Sequence, residues 1–214
     1  MSLLRCYDSV TAEAIPAAGL VLGYVDGDYQ TWTALHERFK DSGTVVLSVT
    51  VNVRPGADVA DCELGNASPA DVAKWARDEL HARRRPTIYG SVDYLQQCSR
   101  LLRNLRVNPS TVDWFLADYV QVAPLLEDVK WPTAIPSGYV AWQFADSIPL
   151  NGHTIDASVV NPSYAKAHGY GRKAHPSVKT APVVIAPEST IQGPGARFLP
   201  SGWYTGAEGA LRVG

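Results

Sequence analysis

The residues whose types and spacing could do chemistry begin with Asp61 and Glu63, in the stretch Val59-Ala60-Asp61-Cys62-Glu63. This stretch closes an apolar run and turns through Leu64-Gly65-Asn66, as the end of a strand would. Side chains alternate across a strand, so both carboxylates point to one side and Cys62 to the other. Two like charges held that close disfavour each other's ionisation, and burying them is costly unless they share protons, hydrogen bonds or a ligand. General acid–base catalysis uses carboxyls displaced in this way.

The elements that must position this pair can be followed in chain order. Leu3 to Asp8 reads as a first strand ending in an acid. Leu20 to Val25 is a second, closing at Asp26-Gly27-Asp28. Trp32, Leu35, His36 and Phe39 recur at helical spacing, and Thr44 to Val51 is a third strand. After the Asp61/Glu63 strand, Ser68, Pro69 and Asp71 form an N-cap, a first helical residue and an acidic N3 partner. Val72, Trp75, Ala76 and Leu80 supply that helix's apolar face, and Arg83-Arg84-Arg85 its solvated, positively charged end. A fifth strand, Pro86 to Gly90, leads into a helix from about Val92 to Leu105. Trp114 to Tyr119, Tyr139 to Ala145 and Thr154 to Ser158 then read as three more strands, the last connection being too short for a crossover helix.

Alternating strands and helices favour a parallel sheet with helices outside it. The expected fold is α/β, a compact TIM-like β/α barrel over residues 1–165, with helices in the first five connections and the last three strands lacking full helices. In such barrels chemistry sits where strands end. Asp8, Asp26, Asp61, Glu63, Tyr89, Asp118, Tyr119 and Asp156 all fall at or near expected C-terminal strand ends and should gather on one face. After Tyr164 the pattern dissolves, with eight glycines and five prolines in residues 166–214. This segment reads as an extended tail, with Trp203-Tyr204 as a candidate anchor.

Composition narrows the function classes. The 214 residues, 46% hydrophobic and 19% charged, suit one domain with a sizeable core. A net charge of −2 argues against a general nucleic-acid binder. The charge is uneven: six Lys/Arg against two Asp/Glu make residues 166–214 basic. No apolar stretch follows Met1-Ser2-Leu3-Leu4-Arg5 as in a signal peptide, and none could span a membrane, so cytoplasmic synthesis is expected. Cys6, Cys62 and Cys98 lack zinc or disulfide-framework spacing and read as reduced, packed thiols; the five histidines show no metal-ligand spacing either.

Taken in order, these residues resemble the family 25 glycoside hydrolases, the Chalaropsis-type lysozymes. The resemblance rests on Asp8, Asp61-Cys62-Glu63, Tyr89, Phe115-Leu116-Ala117-Asp118-Tyr119, Trp142-Gln143-Phe144 and Ile155-Asp156-Ala157-Ser158, spanning roughly residues 3–160. It implies a barrel whose last three strands lack full helices, and cleavage of the β-1,4 bond between N-acetylmuramic acid and N-acetylglucosamine in bacterial cell-wall glycan. It further implies Glu63 as general acid and Asp61 as the group that orients or stabilises the substrate's N-acetyl group. Asp8 and Asp156 would be supporting carboxylates; Tyr89, Tyr119 and Gln143 would line the sugar site, with Asp26 as a further substrate-binding acid. Glycosidic cleavage of this kind needs a proton donor and a second stabilising group, and no metal or cofactor.

The resemblance points to an endolysin-like muramidase acting on the wall after release or as part of a virion. The alternative is a non-catalytic phage structural or binding protein on the same barrel, whose tail contacts neighbouring subunits. A glycosidase for another polysaccharide is a third reading. A mouth open around Glu63 favours an enzyme, whereas one plugged by the tail, or by Trp32 and Trp131, favours the structural role.

Overall fold

The computed structural model describes residues 2–171, together with the backbone of 198–199 and 203–204. Eight strands close into a barrel in chain order: β1 (Leu4–Asp8), β2 (Leu20–Tyr24), β3 (Val45–Thr50), β4 (Val59–Asp61), β5 (Thr87–Ser91), β6 (Asp113–Gln121), β7 (Ala141–Leu150) and β8 (His153–Val160). Strands β1 to β7 pair in parallel. β8 runs antiparallel to both β7 and β1. The β7–β8 connection is therefore a hairpin, as its length and its Pro149 and Gly152 require.

Full α-helices occupy three of the connections, not the first five. They are α1 (Trp32–Phe39), α2 (Pro69–His81) and α3 (Val92–Asn104), after β2, β4 and β5. The β1–β2 connection holds only a 3₁₀ turn, Ala12–Ala14, and the β3–β4 connection a loop broken at Pro55 and Gly56. The α2 start is as expected, with Ser68 accepting from the Asp71 N–H and Pro69 opening the helix. Its basic end is exposed, as expected, but two of its arginines are paired. Arg84 pairs with the buried Glu79, and Arg85 forks onto Asp113 with both N···O distances at 2.9 Å.

Cys6, Leu20, Leu22, Leu47, Val49, Val59, Phe115 and Ala141 fill the barrel interior, each burial contributing roughly 1.5–3 kcal/mol for the larger side chains. A second layer under α2 and α3 contains Cys62, Val72, Trp75, Leu95 and Cys98. A third, outside β7, β8 and β1, contains Tyr7, Val21, Phe144, Ile148 and Ile155. A Cβ at Gly23 would lie 2.7 Å from the Cα of Trp32, so the bare glycine lets α1 lie against β2. A fourth helix, α4 (Pro162–Ala167), follows β8 and covers the barrel base, where the Tyr164 hydroxyl meets Thr87 Oγ1 at 2.9 Å. It straddles Tyr164, after which the sequence pattern dissolves, and is too short to display a period.

Two units are separated along the chain, Met1–Val178 and Lys179–Gly214. In the second, β9 (Phe198–Leu199) and β10 (Trp203–Tyr204) pair antiparallel. The rest of the expected tail from 172 onward, and the docking of the Trp203 and Tyr204 side chains, lie outside the described residues.

Candidate active site

The mouth is built at the C-terminal ends of the parallel strands. Asp8 ends β1 and faces inward, one layer nearer the mouth than Cys6; Asp61 ends β4 beside Tyr89 of β5, its register partner. Cys62 turns outward into the layer under the helices, its Sγ 3.6 Å from that of Cys98, which leaves Glu63 on the side of Asp61. The segment is held against β5 by the Cys62 N–H donating to the Tyr89 carbonyl at 2.9 Å. A Cβ at Gly90 would lie 2.6 Å from the Cys62 carbonyl oxygen, so this approach requires glycine.

Asp156 reaches the same mouth by a different route from the expected one. It is not at a C-terminal strand end: β8 runs backwards, so a residue near its start lies level with the ends of the parallel strands, opposite Asp8. Its Oδ1 accepts from the Ser147 N–H at 2.8 Å.

Asp8, Asp61, Glu63 and Asp156 are thus brought together, and their ionisation shows it. Burial pushes the Asp8 carboxyl well above its usual range, reinforced by Asp156, Asp61 and Glu63 and opposed by the Tyr24 hydroxyl at 3.5 Å. Burial and Glu63 push Asp61 up to about 8, against a hydrogen bond from Asn66. Glu63 is raised by burial and by the charges of Asp156 and Asp146, against a hydrogen bond from Tyr89. Asp156 is raised to about 6 by burial, with the Ser147 N–H and Gln143 opposing and Asp146 adding to the rise. Groups interacting this closely release their protons as a set. One oxygen each of Asp8 and Asp61, Oε1 of Gln143 and Oγ of Ser158 are buried without a hydrogen-bond partner, a cost of about 1–3 kcal/mol per group.

Glu63 is the member of the Asp61/Glu63 pair that is partly open to solvent, whereas Asp61 is only 3% exposed. Tyr119, 46% exposed, stands over it on the rim, its hydroxyl 3.1 Å from that of the buried Tyr89. Gln143, at 1% exposure, lies beneath Asp156 and is placed to hold that carboxylate.

Two of the gathered candidates go elsewhere. Asp26 accepts from Thr50 Oγ1 at 2.5 Å and from the Val51 N–H at 2.8 Å, bracing β2 against the end of β3. Asp118 points outward to solvent, and its carbonyl accepts from Trp142 Nε1. Two residues not anticipated take their place. Tyr24 shares the inward parity of Leu20 and Leu22, a signal the alternation carried. Asp146 follows the seventh strand as expected from sequence, and its charge opposes ionisation of Glu63 and Asp156.

Neither tryptophan proposed as a plug fills the mouth. Trp131 packs outside the barrel against Tyr7 and Phe144, with the Arg5 guanidinium 4.4 Å from its ring centroid. Trp32 opens α1 and stacks on His36. Among the described residues no group of three or more His, Cys, Asp or Glu is arranged to hold a metal ion, and no helix is long and apolar enough to cross a membrane.

Comparison with known proteins adds a likeness in outline. No protein-family model and no curated protein matches the sequence. Among solved structures, the Clostridium perfringens spore cortex lytic enzyme SleM matches with TM-score 0.48 and 11% identity, over 74% of this chain and 67% of SleM. GHIP of Streptococcus pneumoniae, described as a glycosyl hydrolase 25, matches with TM-score 0.44 and 14% identity, over 74% of this chain and 87% of GHIP. The catalytic domain of endolysin ply40, from bacteriophage P40 of Listeria monocytogenes, matches with TM-score 0.45 and 10% identity, over 78% of this chain and 97% of that domain. At that level of likeness a functional reading has to come from the residues of the mouth.

Proposed function

We propose that this chain is a muramidase-type glycoside hydrolase acting on the β-1,4 bond between N-acetylmuramic acid and N-acetylglucosamine of bacterial cell-wall glycan. One observation carries the reading: the partly open Glu63 belongs to a set of buried carboxyls that repel one another's charge, so its proton is held more tightly than on a free glutamate. Protonating a glycosidic oxygen needs such a donor, held near working pH by its neighbours. Glu63 is the general acid in this reading. Asp61, buried beside it, orients the substrate's acetamido group as the bond breaks. Asp8 and Asp156 raise the cost of ionising the pair, and Tyr89 and Tyr119 form the polar edge against which a sugar ring lies.

Incubation with purified peptidoglycan, run beside Glu63→Gln, tests this reading. Wild-type protein is expected to release fragments with new reducing-end muramic acid, and the folded variant to release none. Absence of release by the wild type over a range of wall types and pH would remove the assignment.

A further inference from the structure

The pairing of β7 with β8 slips twice in a few residues. Gln143 opposes Ser158, but Ala145 opposes Ala157 and Ile148 opposes Ile155, so β7 carries an extra residue at each step. Regular alternation from the inward Gln143 would put Ala145 inward and Asp146 outward. The first slip reverses that phase: Ala145 joins Phe144 in the outer layer, and Asp146 comes round to the mouth opposite Asp156. The second returns Ile148 to the outer layer. Ser147, between them, has φ of +54°, an uncommon conformation for a residue with a side chain, and its N–H is spent on Asp156. Bulges of this kind re-aim side chains beside functional sites.

We propose that Asp146 is a positioning residue of the mouth, brought there by the double bulge so that its carboxylate keeps the transferable proton on Glu63. This rests on Glu63 being the proposed general acid. The groups that face Glu63 are Asp8 from β1, Tyr24 from β2, Asp61 from β4, Tyr89 from β5, Tyr119 from β6, Asp146 from β7 and Asp156 from β8. Asp8 and Asp61 are almost wholly buried, where a charge is poorly solvated. Asp146 is partly exposed, so water can support its charge while it faces the acid. The charge of Asp146 acts in the same direction on both Glu63 and Asp156.

The test follows the Glu63 carboxyl directly, by carbon-13 NMR titration of protein labelled at glutamate, with Glu63→Gln identifying the resonance. In Asp146→Asn the Glu63 midpoint is expected to fall, and the high-pH limb of muropeptide release to move to lower pH with it, reducing release several-fold on that side. Asp146→Glu is expected to restore both towards wild type, which a purely structural role for the bulge would not do. Asp146→Ser serves as a second neutral variant if Asp146→Asn folds poorly. A Glu63 midpoint unchanged in the neutral variant overturns the inference, even if release persists and the hydrolase reading stands. A midpoint that falls in a protein with no release at all upholds the placement of Asp146 and removes the hydrolase reading instead.

Discussion

The two ends of the barrel treat their acids in opposite ways. At the base, each acid has a partner of other character: Glu79 has Arg84 and the Gly56 N–H, Asp113 has the Arg85 fork, and Asp58 has the Ser48 hydroxyl and N–H with His168 3.8 Å away. At the mouth, Asp8, Asp61, Glu63 and Asp156 face chiefly one another, tyrosines and amides. The base is arranged for stability, because burial's push on Glu79 is outweighed by its hydrogen bonds and its carboxyl is held below the usual range. The mouth retains protons that its surroundings make hard to lose. Acid residues alone therefore do not distinguish a site from a brace; the company they keep does.

The largest expected effect separates the two ends by activity. Glu63→Gln should lower muropeptide release by roughly 10²–10⁴-fold while leaving the thermal midpoint unchanged or raised. A parallel loss in both would mean that Glu63 is a brace like Glu79. Conversely, Arg84→Ala should leave a 2%-exposed carboxylate with only the Gly56 N–H as partner and lower Tm, with release per folded molecule unaltered.

A smaller effect concerns the sign of the pH dependence. An unfolded Asp61 releases its proton near pH 4, whereas the folded one holds it to about 8. Between those values the folded state binds more protons than the unfolded, so this group's contribution to stability declines as pH rises through the window. Asp61→Asn should therefore gain on wild type in Tm progressively from pH 4 to pH 8, measured by calorimetry. Glu79 has the opposite sign: held low, it stabilises above its unfolded value, and that contribution is lost as pH falls through the folded value. The Arg84→Ala deficit should accordingly shrink in acid. Equal slopes for the two variants would erase the distinction between the ends. The smallest effect is at Asp26: Asp26→Asn should cost about 1–2 kcal/mol through its bonds to Thr50 and Val51 and leave the titration of Glu63 unmoved.

Much of the barrel was legible because it depends on local rules. Period-two alternation placed Asp61 and Glu63 together and sent Cys62 to the helix layer. Cap chemistry at Ser68, Pro69 and Asp71 marked the start of α2 to the residue. What could not be read depends on pairing between distant strands. The short connection before β8 implies its reversal, but nothing within Thr154–Ser158 says that this reversal sets Asp156 level with Asp8 at the mouth. The slips in β7 invert the alternation without any glycine to announce them, so Asp146 was passed over. Asp26 occupies a strand end as Asp8 does, yet the Thr50 hydroxyl reaches it first. Arg84 and Arg85 are solvated as expected, but their partners Glu79 and Asp113 come from elsewhere in the chain.

The missing side chain at Gly90 has a consequence for how this barrel could diverge. Because the Cys62 carbonyl occupies the space a methyl group would need, the course of the acid-bearing segment and the identity of position 90 are inherited together. A lineage could replace rim residues such as Tyr119 and retain the mouth. It could not admit even alanine at position 90 without moving Asp61 and Glu63 away from their partners. Among distant sequences of the same outline, glycine at that point of the fifth strand is therefore a marker for an intact acid pair, independent of the acids themselves.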